Sequence, residues 1–246
     1  MTESAPLVLV PGMLCDDDLW SDIGEVASAP VIFASISRRS ITEMAAEVLD
    51  SAPPRFLLGG LSLGAIVGFE IIRQAPERVL GFCAMSTNAG APTDAQRESW
   101  LTMAARTDHG EFAAVVQDII APTMFRDPTP PAELRERFRR MAHRIGPDVF
   151  RAQLAAQATR IDSIPHLHKI VCPTIVLAAE DDTLCPPAFH RAIADAVPHA
   201  RLEIIPDVGH LCTWESPTSV SAILRDWIIT NNLDHPQPLE TTCQPS

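Results

Sequence analysis

The sequence predicts an α/β fold, in which a mostly parallel β-sheet carries helices on both faces and is interrupted by an inserted block of helices. Two observations lead there. Short runs that are apolar along their whole length alternate with stretches of helical periodicity towards both ends of the chain. Such strands belong in a parallel sheet buried on both sides. Between about Ala91 and Pro165 the strand-like runs stop, and helical segments punctuated by Pro122, Pro128, Pro130-Pro131 and Gly146-Pro147 replace them.

A chain of 246 residues suits one large domain with an insertion better than two independent domains. The expected division gives residues 1–90 and 166–232 to the sheet core and 91–165 to a helical cap. The polar, proline-bearing tail 233–246 is expected to be disordered.

The elements follow in order. "PLVLVPG" is the first strand, closed by Pro11-Gly12; "VIFASI" is the second, "RFLLGG" the third and "RVLGFCAMST" the fourth. Between the second and third, "SITEMAAEVLD" is a helix announced by the capping-box pair Ser40 and Glu43. After the third strand, "LGAIVGFEIIRQAPE" places Ile66, Phe69 and Ile72 at helical spacing until Pro76 stops it. Beyond the insertion the alternation resumes with strand "PTIVLAAEDD", helix "PPAFHRAIADAV", strand "ARLEIIPDVGH" and helix "SPTSVSAILRDWIIT".

Composition narrows the partners. Hydrophobic residues make up 46% of the chain, enough for a substantial core, so disorder is not expected. The formal net charge of −12 argues against nucleic acid or an anionic membrane surface as partner, since both require clustered cations. The insertion holds ten of the nineteen cationic residues and ten acids, so the net negative charge lies outside it. No apolar run approaches the ~18–20 residues of a membrane helix, and the opening "MTESAPLVLVPG" lacks the basic region and cleavage pattern of a signal peptide. A soluble, cytoplasmic protein is the expectation. The six cysteines are scattered without a C-x-x-C pair, which reads as isolated thiols rather than a disulfide framework. His166, His168 and Cys172 match no zinc spacing, so no metal site is expected.

The chemistry centres on "GGLSLG". Ser62 stands between Gly60 and Gly64, where an apolar strand becomes a helix. A sharp strand-to-helix turn holds its central residue in a strained conformation, and side chains two residues before and after it would collide. Glycine removes that collision, and the turn presents the serine hydroxyl at the carboxyl edge of the sheet. A serine hydroxyl is a weak nucleophile near neutrality, so the arrangement requires a base within hydrogen-bond reach. The partners should follow later strands, in the order nucleophile, acid, histidine. "VLAAEDDTLCPP" ends one such strand in acids. "IIPDVGHLCTWESP" ends the next with His210, the one histidine of eight that follows a strand through a "DVG" loop. The other seven read as structural.

"LVLVPGMLCDDDLW", "GGLSLG", "AAEDDTLCPP" and "DVGHLCTWESP" together resemble, in order, four landmarks of the α/β-hydrolase superfamily. The resemblance implies Ser62 as nucleophile, His210 as general base and Asp182 as the acid that orients it, with Asp181 and then Glu180 as the next choices. It also implies an oxyanion hole from the backbone N–H groups of Met13 and Leu63. Where similar enzymes close the first strand with His-Gly, this chain has Pro11-Gly12, a different anchor for that loop. Similar folds often carry two strands before the one at "LVLVPG". Here about six parallel strands are expected, in the spatial order second, first, third, fourth, fifth, sixth.

The implied activity is carboxylic ester hydrolysis through an acyl-serine intermediate, with a small-molecule ester as substrate and no cofactor. The helical cap and the lack of an obvious anion clamp point to an apolar short- to medium-chain acyl ester. Acyl transfer, thioester, lactone or carbon–carbon bond hydrolysis on the same triad remain open, as does a ligand-binding receptor on the same scaffold. Within the cap, Trp100, Met103, Phe112, Met124 and Phe125 are either pocket residues or packing. The arginine-dense "ELRERFRRMAHR" reads as a solvated helix face with pairs Glu133–Arg137 and Glu136–Arg140. Cys15, Cys185 and Cys212 each fall within three residues of a proposed site position. They are either thiols whose alkylation impairs activity or inert buried ones.

Overall fold

Six strands pair in parallel as one sheet, in the order β2-β1-β3-β4-β5-β6. The computed structural model describes residues 4–27 and 30–233, so the tail expected over 233–246 lies, from residue 234 on, outside the described residues. The strands are β1 (Leu7–Val10), β2 (Val31–Phe33), β3 (Phe56–Leu61), β4 (Val79–Met85), β5 (Thr174–Ala179) and β6 (Arg201–Ile205). Strand number and order are those expected from the sequence. β2 is shorter than "VIFASI" suggested. It pairs only with β1, the last register being Leu9 with Phe33, and Pro11 ends the strand that would have continued the ladder.

Side-chain alternation along the strands builds two cores. Leu7, Leu9, Leu57, Leu61, Met85 and Leu177 face one side, where they meet Leu224 and Trp227 of α7 (Pro217–Thr230). Val8, Val10, Leu58, Phe82, Ala84 and Val176 face the other. There they meet Met44 and Val48 of α1 (Ile41–Ser51), Val67 and Ile71 of α2 (Leu63–Gln74), and Ile193 of α6 (Pro187–Ala196). Each fully buried aliphatic or Phe side chain contributes about 1.5–3 kcal/mol, so both faces must stay covered. α1 starts where its cap predicts: Ser40 Oγ accepts from Glu43 N at 3.2 Å and donates to the Glu43 carboxylate at 2.9 Å.

Between β4 and β5 the chain is helical. α3 (Asp94–Asp108) opens on a complete capping box between Thr93 and Gln96, and the short α4 (Phe112–Val115) follows. α5 (Ala132–Ala158) breaks at Gly146, whose φ of 78° and ψ of 168° lie ahead of Pro147. Phe112 with Phe150, tilted at 5.7 Å, and Phe125 with Phe138, edge to face at 6.4 Å, continue the first sheet core.

Arg137 departs from the solvated-face expectation. Rather than pairing with Glu133, it reaches Asp18 at 2.8 Å and Asp22 at 2.6 Å and lies 4.3 Å from the Trp214 ring. Two carboxylates plus an aromatic face outbid one flexible partner on its own helix. Arg144 reaches Asp16 and Asp18 from the same side, whereas Arg140 does pair with Glu136, at 3.7 Å. Among the described residues no helix is long and apolar enough to cross a membrane.

Candidate active site

Ser62 sits between β3 and α2 with φ 56° and ψ −116°, a region L-residues avoid at a cost of about 1–3 kcal/mol. Its backbone is held on both sides: its N–H donates to Met85 O and its carbonyl accepts from Thr87 Oγ1, both at 2.9 Å. The flanking glycines are required by contact. A Cβ on Gly60 would lie 2.6 Å from the Gly64 backbone, and one on Gly64 only 2.0 Å from Val10 O at the end of β1.

His210 follows β6 on a loop that is pinned by Glu215. The Glu215 carboxylate accepts from Gly209 N at 2.7 Å and Arg126 N at 3.0 Å, while Leu211 N donates to Met124 O at 2.9 Å. Gly209 has no room for a side chain, since a Cβ there would lie 2.1 Å from Arg126 N. The histidine loop is thereby locked against the inserted segment at residues 124–126.

Asp182 follows β5. Its Oδ2 lies 2.8 Å from His210 Nδ1, and its Oδ1 accepts from Leu184 N and Cys185 N, both at 2.9 Å. Asp182 and His210 are 2% and 3% exposed. Burial pushes the Asp182 carboxyl upward, but the His210 charge and hydrogen bond, with the two backbone N–H groups, outweigh it and hold the group below its ordinary value. Asp181 is turned outward, 2.7 Å from Arg126, which also pairs with Asp207. Of the three acids in this loop, Asp182 alone hydrogen-bonds His210.

A cavity of about 120 Å³ joins these pieces, lined by Ser62 and His210 together with Gly12, Met13, Trp100, Met124 and Arg160, among others. The structure brings Ser62 and His210 to one cavity and Asp182 to His210. Among the described residues the Ser62 hydroxyl and His210 do not share a hydrogen bond, a contact that commonly tightens only once substrate is bound. Leu63 is the first residue of α2, so its N–H has no acceptor within the helix. Of the five apolar cap residues singled out in the sequence, Trp100 and Met124 line the cavity, whereas Met103, Phe112 and Phe125 pack in the core.

Two residues escaped the sequence reading, Glu215 and Arg160, and a third, His190, read there as structural, has a specific place beside the site. His190 on α6 is buried and accepts a hydrogen bond from Thr87 N at 2.9 Å, one residue pair away from the Ser62 carbonyl. Burial lowers its pKa to about 4, keeping the ring neutral. Glu215 lies in the helical stretch after the histidine, where it reads as a surface charge. Arg160 follows α5 with nothing in its neighbours to mark it. Among the cysteines, Asp182, Cys185 and His210 bring donor atoms within 4.8 Å of one another. Burial, and then the Asp182 charge, pushes the Cys185 thiol up to about 12, so the thiol is protonated near neutrality.

The model of the alpha/beta hydrolase family matches residues 7–223. A thermophilic esterase from Thermogutta terrifontis, solved with malate bound, superimposes with a TM-score of 0.84 at 25% identity, covering 96% of this chain and 92% of that one. The Mycobacterium tuberculosis protein BpoC, which carries the name of a non-heme bromoperoxidase, is 29% identical over 72% of this chain and 69% of its own length. A poly(3-hydroxyalkanoate) depolymerase from Ectopseudomonas oleovorans is 31% identical over 73% of this chain and 64% of its own length.

Proposed function

Since the chain belongs to the alpha/beta hydrolase family, we propose that it is a serine hydrolase cleaving carboxylic esters of small molecules through an acyl-serine intermediate. Ser62 is the nucleophile, His210 the general base and Asp182 the carboxylate that orients and charges it. The observation that carries this reading is the buried 2.8 Å bond between His210 Nδ1 and Asp182, at the wall of the cavity that Ser62 enters from its strained turn.

In that arrangement Asp182 accepts a hydrogen bond from His210 Nδ1–H, holding the tautomer whose Nε2 is free to take a proton from Ser62 Oγ as the hydroxyl attacks the ester carbonyl. The carbonyl oxygen gains negative charge as the tetrahedral intermediate forms. The N–H groups of Leu63 and Met13 stabilise it, each donor being worth about 10²–10³ in turnover. His210 then protonates the leaving alcohol, the acyl-serine forms, and water repeats the sequence in reverse roles. The helices at 91–165 act as a cap that narrows the entrance and excludes water from the acyl group. The chemistry draws on protein groups alone, and the protein works in the cytoplasm.

Rapid mixing with a p-nitrophenyl ester tests the reading. A burst of nitrophenol equal to the enzyme concentration, then steady turnover, is expected, and Ser62→Ala should remove both. Turnover undiminished in Ser62→Ala contradicts it.

A further inference from the structure

Arg160 lines the same cavity as Ser62 and His210 and is 7% exposed. All its hydrogen bonds go to neutral acceptors. Nη1 donates to Gln157 Oε1 at 3.1 Å, and Nη2 to Asn88 Oδ1 and Gly90 O, both at 3.3 Å. Nε is buried with no hydrogen-bond partner. No carboxylate of a described residue forms an ion pair with it, and the nearby Arg97 opposes its charge. The Trp100 ring, 5.6 Å from the guanidinium, adds an apolar wall.

A guanidinium stays charged at any physiological pH, so burying one without an anion is unfavourable unless something completes it. Arg137, the other arginine drawn inward from the insertion, meets two carboxylates. Arg160 has no acid where Arg137 has two, and it is among the residues that line the cavity. One N–H on Nη1 is left without an acceptor, and a carboxylate brought into the cavity would supply the missing counter-charge through a charge-assisted hydrogen bond. The overall charge of −12 does not forbid an anion here, because beyond about 8 Å surface charges are screened at physiological salt.

We propose that Arg160 binds a carboxylate of the substrate, and hence that the substrate is a short ester carrying a free carboxylate a few bonds from the scissile carbonyl. This rests on the assignment of Ser62 and His210 as the hydrolytic pair. It replaces the apolar acyl ester expected from the sequence, which offered no visible anion clamp. The cavity's small volume limits the chain between the two carbonyl groups to a few carbons. Arg160 is a binding residue in this account; the bond-making steps remain those of Ser62 and His210.

The test uses matched aryl esters: monophenyl glutarate and monophenyl adipate, each against the same compound with its free acid methylated. Phenol release gives kcat/KM for each. The acid should be preferred by about ten- to hundredfold, the usual strength of a charge-assisted hydrogen bond. Arg160→Gln should lose or reverse that preference. Gln157→Glu, which places an internal carboxylate on Nη1 while keeping every heavy-atom position, should bring it near unity. Should Arg160→Gln fail to fold, Gln157→Glu decides alone. Equal rates for acid and methyl ester in the unaltered protein overturn the inference and leave the Ser62 reading intact. A preference that survives in Gln157→Glu also overturns it. Failure to cleave any of these activated esters, with no nitrophenol burst, removes the hydrolytic reading and this inference with it.

Discussion

His210 Nδ1 and Asp182 Oδ2 stand 2.8 Å apart in near-complete burial, while Asp181, one residue earlier, points outward to Arg126. A neutral amide at Asp182 cannot accept the Nδ1 proton as an anion does, and it favours the wrong imidazole tautomer. Asp182→Asn should therefore lower kcat by about 10⁴ with the fold retained. Asp181→Asn should change kcat by no more than about twofold, since it removes only an exposed ion pair. Steady-state kinetics on both variants checks this. A larger loss in Asp181→Asn would reverse the assignment.

The turn at Ser62 leaves no slack. A methyl group on Gly64 would press into the Val10 carbonyl, and backbone cannot swing aside as a side chain can. Gly64→Ala should destabilise the fold by about 1–3 kcal/mol or more, read as a lower urea midpoint, and should displace Ser62 from the cavity. Gly90, whose added Cβ meets nothing within 4 Å, is the control: Gly90→Ala should leave the midpoint nearly unchanged.

His190 imposes an acid limit. Burial keeps it neutral down to about pH 4 in the fold, against 6.5 ordinarily, so the unfolded chain takes up this proton first. Its contribution is complete above about pH 6.5 and is lost as pH falls from there towards 4, at up to about 1.4 kcal/mol per pH unit. Urea titrations at several pH values should show that slope, and His190→Gln should flatten it. An unchanged slope in the variant would assign the acid loss to other groups.

Thiol chemistry tests reactivity rather than position. Cys15 and Cys185 line the cavity with Ser62 and His210, and Cys15, Cys185 and Cys212 are all buried. Burial is the main cause that raises each thiol, Cys185 and Cys212 to about 12. Iodoacetamide at pH 8 should leave these three unmodified in the native protein, with activity retained, and should label them after unfolding. Peptide mass analysis decides; alkylation of native Cys185 with loss of turnover would contradict the burial.

What could be read from the sequence was whatever depends on local stereochemistry. The strand-to-helix turn at Ser62 is written in its two glycines, and the strands other than β6, which carries Arg201 and Glu203, in their largely apolar runs. The "DVG" before His210 marks a loop whose glycine proves sterically obligatory against Arg126. Choosing Asp182 among three adjacent acids needed the family resemblance, because the direction of each side chain depends on how the loop after β5 folds. Arg137 and Arg160 were illegible for a related reason. Partners of both lie on segments distant in sequence: Asp18 and Asp22 for the one, Asn88 and Gly90 for the other. Helical spacing records neighbours on the same helix and says nothing of those across a groove.

The most direct test of the central claim is covalent labelling with a fluorophosphonate followed by peptide mass mapping. A single adduct on Ser62 is expected, formed in the unaltered protein and lost in His210→Ala. An adduct on any other residue, or a Ser62 adduct formed equally fast without the His210 imidazole, would contradict it.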